Sequence, residues 1–239
     1  MADRFFSSTP VSGPTVELTG DQAHHLANVM RAVSGDRVGL FDIDGREFVA
    51  VVSEVSKKRV LLQIHEELPR EEDTLPRITV AVAMPRGDRQ KFLIEKLVEL
   101  GAIAVIPLST KRGVAVVKEN VVKRMEKQVI EACKQCGRNR LMTIETPLTI
   151  ADLIHSMSGD TETLRLLAEP RCEPTIREVT SGQPHGFPAL VAIGPEGGFS
   201  DQEVQQLTEA GFQPCRIGDS ILRIETAAIA ALTLLRCTQ

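Results

Sequence analysis

The sequence predicts an α/β protein in two parts: a small β-rich domain over residues 1–70 and a larger α/β domain over 71–239. Three observations predict it. Short strand signals crowd the first 65 residues, as in a small barrel. An acidic stretch with prolines at both ends, Glu66–Pro76, reads as a linker, with the boundary near Arg70–Leu75. From Arg77 onward, apolar runs of strand length alternate with helical patterns, the mark of a largely parallel sheet.

In the first part, Thr15–Leu18 is a short strand. Asp21–Ala32 is a helix with Leu26, Val29 and Met30 on one face. Strands Arg37–Asp42 and Glu47–Val55 flank Asp44-Gly45, a hairpin signal. Lys57-Lys58 turns the chain into Val60–His65. In the second part, Ile78–Met84 is continuously apolar, so both its faces are buried. The helix Asp88–Leu100 follows, stopped by Gly101, and then the strand Ala102–Leu108. Glu119–Gln135 and Thr149–Met157 are helices, and Leu164–Ala168 and Ala189–Ile193 are strands. Ser200 and Glu203 form a capping box for the helix Ser200–Gly211. Phe212–Ile217 is the last strand and Glu225–Leu235 the last helix. Its stretch Ala227–Leu235 is apolar around the full circumference apart from Thr233, so it is expected to be covered on all sides, in the core or between subunits.

Composition narrows the function. The chain has 239 residues, 42% of them apolar, and a net charge of −4. Eight Phe with no Trp or Tyr argue against aromatic platforms for base stacking. Five scattered Cys, and an opening MADRFFSS without an apolar core, point to a reducing cytoplasmic setting. No apolar run is long enough to span a bilayer. Cys133 and Cys136 have no second pair to complete a zinc site, and the five His form no ligand pattern, so no metal is expected. Both thiols are expected on one buried helical face.

Two loops near the C-terminus carry the chemistry. The first, Gly194-Pro195-Glu196-Gly197-Gly198, follows an apolar strand; the second, Ile217–Arg223, precedes the last helix. Three glycines and a proline in five residues make a backbone that can come close to a ligand, or a tight turn into the next helix. Both loops leave strand ends, where open α/β sheets bind ligands. No phosphate-loop or dinucleotide motif is present, which leaves an adenosine-like ligand held by backbone groups. Glu225 or Thr226 can cap the last helix; capping does not explain the guanidinium of Arg223 just before it. Lys111–Arg140 holds nine Lys/Arg against three acids, which leaves the remainder at −10. Such a stretch is either a solvated helix face or a phosphate-binding surface. Arg138 and Arg140, with Lys111 and Arg112, are its candidate RNA contacts, joined by Arg4 and Arg31 from the small domain.

Taken in order, several segments resemble one family: Arg4-Phe5-Phe6; His25-Leu26 with Val29-Met30-Arg31; Lys96 with Glu99-Leu100-Gly101; Glu131–Arg138; Gly194–Ser200; and Ile221–Ala227. They are similar to the small-subunit ribosomal RNA uridine-N3 methyltransferases (the RsmE family) of the SPOUT superfamily. The resemblance covers nearly the whole chain. Met30 stands where Leu is usual, and Ser220 where the family usually has Arg.

The resemblance implies an N-terminal PUA-like β-barrel that binds RNA and a C-terminal SPOUT domain with a deep trefoil knot. It implies a homodimer acting on 16S ribosomal RNA or the assembled small subunit, with S-adenosyl-L-methionine as cofactor. The cofactor walls would be Leu167, Ala168, Glu169 and Pro170; Ile193, Gly194, Pro195, Glu196, Gly197 and Gly198; and Ile217, Gly218, Ile221, Leu222, Thr226 and Ala227. Arg223 would stabilise charge on the acceptor base, and Glu196 or Glu225 would be the general base, hold the cofactor or cap a helix.

Overall fold

The computed structural model describes residues 3–56, 58–69, 76–113 and 117–237. The boundary expected at Arg70–Leu75 and the turn residue Lys57 lie outside them. The chain divides into two units: Met1–Asp73 with Ile130–Leu141, and Thr74–Val129 with Met142–Gln239.

The first unit is built on a curled five-stranded sheet in the order β1-β3-β4-β5-β2. Its strands are β1 (Arg4–Ser7), β2 (Thr15–Thr19), β3 (Arg37–Asp42), β4 (Glu47–Val55) and β5 (Arg59–Glu67). β1 lies parallel to β3; the other pairs are antiparallel. The even positions Phe48, Ala50 and Val52 of β4 point into the core, where they meet Leu40, Val60 and Leu62. This is the period-2 pattern that fixes strand register. Irregularities in register at Val49/Ala50 and Val52/Glu54 bend β4 against β5.

The β3–β4 turn is organised by Asp42. Its buried carboxylate accepts from the backbone amides of Val11, Asp44 and Arg46 and from the Arg46 guanidinium. Gly45 takes φ 75° and its amide donates to Asp42 O at 2.9 Å.

The helix expected over 21–32 is α-helical only as α1 (Gly20–His24). It widens into a π-helical turn over His25–Val29 and ends at Arg31, which takes φ 58°. With no glycine to terminate the turn, a non-glycine residue adopts the left-handed conformation. His25 packs edge-on against Phe5, with ring centroids 6.1 Å apart.

The second unit is a parallel sheet in the order β12-β10-β11-β6-β7-β8, with β9 paired to β7. The strands are β6 (Ile78–Val82), β7 (Ala104–Ser109), β8 (Thr143–Ile144), β9 (Leu148–Thr149), β10 (Leu164–Ala168), β11 (Ala189–Ile193) and β12 (Gln213–Cys215). All five β11 residues are buried, as a strand covered on both faces requires. The helices are α2 (Asp88–Glu99), α3 (Glu119–Cys136), α4 (Ile150–Ser156), α5 (Ile176–Thr180), α6 (Asp201–Glu209) and α7 (Ile224–Cys237).

α7 leaves the end of edge strand β12 and packs against α2, α5, β6 and β11. Its Ala227, Ala228, Ala231, Leu232 and Leu235 are buried, whereas Thr226 and Thr233 are exposed and Ile229, Ala230 and Leu234 half-buried. Within one chain the helix is therefore covered on one side only, which leaves, of the two expected forms of cover, the one between subunits for its other side. Along α3, Met125, Val129, Ala132 and Cys133 form the buried face. Cys136 is exposed, so the two thiols do not share that face.

Candidate active site

β10, β11 and β12 are neighbours in the sheet, so the three segments leaving their carboxyl ends emerge side by side. These are Glu169–Pro170, Gly194–Phe199 and Arg216–Arg223. The first and third are tied together: the Glu169 amide donates to Cys215 O at 3.0 Å and the Arg216 amide to Pro174 O at 2.8 Å. The Arg216 guanidinium also pairs with Asp219, which shapes the loop before α7.

Physical constraints set the segment after β11 tightly. A β-carbon on Gly194 would lie 3.0 Å from the Phe199 ring, so any side chain there would have to push that ring aside by a few tenths of an ångström. Phe199 is 5% exposed and anchors the segment in the core. The Gly198 amide donates to Pro195 O at 2.8 Å, closing a turn, and Gly198 takes φ 68°. Ser200 then caps α6. Its hydroxyl accepts from the Glu203 amide at 3.4 Å, and Glu203 accepts from the Ser200 amide at 2.7 Å. The capping box read from the sequence is present.

Two residues expected to touch RNA hold this turn from the segment after β7. Arg112 donates to Gly197 O at 3.0 Å and to Phe199 O at 3.1 Å. The Lys111 amide donates to Glu203 at 2.8 Å, and its ammonium bonds Gln202. Glu203 is 3% exposed. Burial pushes its carboxyl up, but hydrogen bonds from the Ser200 and Lys111 amides outweigh this and hold it below the ordinary 4.5. Burial pushes the Cys215 thiol up to about 12, so it stays protonated and inert beside the site.

Among the expected cofactor residues, Leu167 and Ile193 are buried strand residues that would meet a ligand through their backbone only. Ala168, Glu169, Gly194, Ile217, Gly218 and Leu222 are half-buried; Pro195 and Ala227 are buried. Pro170, Gly197 and Thr226 are exposed, and Ile221 is 87% exposed.

Of the three catalytic candidates, Arg223 is exposed where the third loop enters α7. Glu196 is exposed and paired with Arg89 at 3.2 Å. Glu225 lies inside the first turn of α7 rather than at its cap. It is 7% exposed, and its Oε2 is buried without a hydrogen-bond partner. A buried carboxylate oxygen without a donor is costly, and a ligand that donates to it would relieve that cost.

The remaining RNA candidates lie in the first unit. The Arg4 guanidinium donates to Cys133 O at 3.0 Å, bonds Asn139 and pairs with Glu47 at 3.2 Å; its side chain is 9% exposed. Arg4 therefore fixes the segment after α3 onto the sheet. Arg31 and Arg140 are exposed and Arg138 is half-buried. The basic stretch 111–140 is divided, its residues from Ile130 onward belonging to the first unit. Among the described residues no group of three or more His, Cys, Asp or Glu is arranged to hold a metal ion, and no helix is long and apolar enough to cross a membrane.

Residues 71–236 match the family model described as an RNA methyltransferase domain, and residues 18–64 that described as an RNA methyltransferase PUA domain. Ribosomal RNA small subunit methyltransferase E of Bacillus subtilis is 31% identical over 92% of this chain and 89% of its own length. The chain belongs to the ribosomal RNA small subunit methyltransferase E family. The Synechocystis member is 34% identical over 91% of this chain and 71% of its own. A family structure from Neisseria gonorrhoeae bound to S-adenosyl methionine is 30% identical, with a TM-score of 0.89 over 98% of this chain and 97% of that one. A Legionella pneumophila structure with the bound cofactor SAM is 31% identical, with a TM-score of 0.88 over 98% of this chain and 97% of that one. The resemblance of the sequence motifs and the match over the whole length thus agree on the methyltransferase family.

Proposed function

We propose that this chain methylates N3 of a uridine in small-subunit ribosomal RNA, with S-adenosylmethionine as donor. The observation that carries the reading is the cleft over β12, β10 and β11, three adjacent strand ends with a glycine-rich turn leaving β11, in a chain alike over its length to relatives bearing that name. The residues fit an adenosyl ligand. The backbone of 167–170, 193–198 and 217–222 offers amides and carbonyls at close approach, and Glu225 Oε2 offers an acceptor in want of a donor. When bound, the cofactor supplies a methyl group already activated by a sulfonium.

The chain supplies positioning and charge. The turn at Pro195–Gly198 and the loop 217–222 hold the donor, and closeness of donor and acceptor accounts for much of the rate. Uracil N3 must lose a proton before it attacks. Arg223, at the mouth of α7, stabilises negative charge on the uracil oxygens as it develops. Glu196 takes the proton, being exposed at the turn, while buried Glu225 orients the ligand.

The finer architecture follows the same reading. The curled sheet of the first unit is a PUA-like barrel that binds RNA through Arg31, Arg138 and Arg140. The return of α7 from the edge strand to β11 and β6 suits a chain threaded as a trefoil knot. The half-covered side of α7 suits a second copy of the chain, and the cytoplasm suits a ribosome-modifying enzyme. Identification of the nucleoside that receives a labelled methyl group tests the reading; label in any nucleoside but 3-methyluridine overturns it.

A further inference from the structure

Next to the strand ends that form the cofactor cleft lies a cavity of about 320 Å³. That volume is at the small end of the range for ligand pockets, roughly 300–1,000 Å³. Its inner wall is apolar: Ala83 and Met84 just past β6, Leu108 at the end of β7, and Ile224 at the start of α7, none more than 4% exposed. Its rim is polar, formed by Arg86, Arg89 and Glu196. The Pro195–Glu196 turn, which leaves β11, lines this cavity on the β6 and β7 side; the other two strands of the proposed cofactor cleft, β10 and β12, lie on the other side of β11. Arg223 immediately precedes Ile224 of the cavity wall.

We infer that this cavity is the subsite that receives the acceptor nucleotide, and that Arg86 and Arg89 hold that nucleotide. The inference rests on the methyltransferase reading and adds where the substrate sits. An apolar wall with guanidinium groups at its rim suits a nucleotide: the base lies against Met84 and Leu108, and the arginines take phosphate or carbonyl oxygens. Among the described residues no aromatic side chain lines the cavity, so the base would pack on aliphatic and thioether groups instead of stacking. Arg86 and Arg89 flank Gly87-Asp88, where α2 begins after Gly87 at φ 63°, and the helix N-terminus adds positive potential at the same rim.

The Arg89–Glu196 pair gives the subsite a consequence. Both side chains are about half exposed, and exposed pairs hold only weakly. An incoming nucleotide oxygen competes for Arg89 and releases the Glu196 carboxylate beside the acceptor. Substrate entry and presentation of the proposed base then occur together.

The test uses the full chain with S-adenosylhomocysteine and small-subunit RNA carrying 4-thiouridine. After irradiation, cross-linked peptides are mapped by mass spectrometry. The expected result is cross-linking within Ala83–Arg89 or at Leu108, competed away by unsubstituted RNA; cross-links confined to residues outside the cavity lining overturn the proposal. In parallel, Arg86→Ala with Arg89→Ala should slow methyl transfer about 10–100-fold, as loss of charged hydrogen bonds predicts, with cofactor affinity within twofold of wild type. Arg86→Lys with Arg89→Lys should recover part of that rate. A double alanine variant with wild-type turnover, or with cofactor affinity lost, also overturns the proposal. Failure of the methyltransferase reading itself is separate: the wild-type chain would then bind no cofactor and label no RNA.

Discussion

The Arg112 guanidinium donates to the carbonyl of Gly197 at 3.0 Å, so a residue 85 positions away in sequence holds the glycine-rich turn of the cleft. Its charge suggests a phosphate contact; its geometry makes it a brace for the turn. Arg112→Ala should weaken S-adenosylmethionine binding about 3–10-fold, since two charge-assisted hydrogen bonds are lost at an exposed position. The salt slope of RNA binding should stay unchanged, whereas a lost phosphate contact lowers it by roughly 0.7–0.9. Calorimetry and a salt titration check both. Wild-type cofactor affinity with a reduced slope would return Arg112 to the RNA surface.

Glu203 links the same turn to pH. Its carboxyl is held below 4.5 in the folded chain. A lowered folded value means that the carboxylate contributes stability above that ordinary value of 4.5, which the unfolded chain keeps. That contribution is lost as pH falls through the folded value. Glu203→Gln should lower the melting temperature at pH 7 and flatten its decline between about pH 5 and pH 3. Melting curves that run parallel to wild type across that range would contradict this account of Glu203.

Much of this was legible because it is local. β10 and β11 fall at Leu164–Ala168 and Ala189–Ile193, as their apolar runs predict, and Ser200 with Glu203 announced α6. What the sequence hid depends on distant partners. β1, β8 and β9 are two to four residues long and exist through pairing with β3 or β7. The π-helical turn at His25–Val29 departs from the 3.6-residue period that predicts an ordinary helix. α5 could have been found, since Thr175 and Glu178 have capping-box spacing. The site was legible as loops, not as partners. Nothing in the sequence pairs Arg89 with Glu196, aims Arg112 at Gly197, or assigns Ile130–Leu141 to the first unit.

Arg223 carries the chemical part of the proposal. Arg223→Ala should reduce turnover on the order of 10²–10³-fold, as removal of an oxyanion donor does, and leave cofactor affinity near wild type. Single-turnover methylation and calorimetry on the same preparation separate the two effects. Full activity in this variant would remove Arg223 from the mechanism.

The half-covered side of α7 leads to an expectation about assembly. At micromolar concentration the chain should be a homodimer by light scattering, and Ile229→Glu, which sets a charge on that side, should give a monomer. A wild-type monomer under those conditions would leave the side without its proposed occupant.

The central claim is the reaction, and one incubation tests it most directly. Purified protein, methyl-labelled S-adenosylmethionine and small subunits lacking the modification are combined, and the RNA is digested to nucleosides. The account predicts label in 3-methyluridine, from a single position of the small-subunit RNA. Label in another nucleoside, or in none while the protein binds the cofactor, would contradict it.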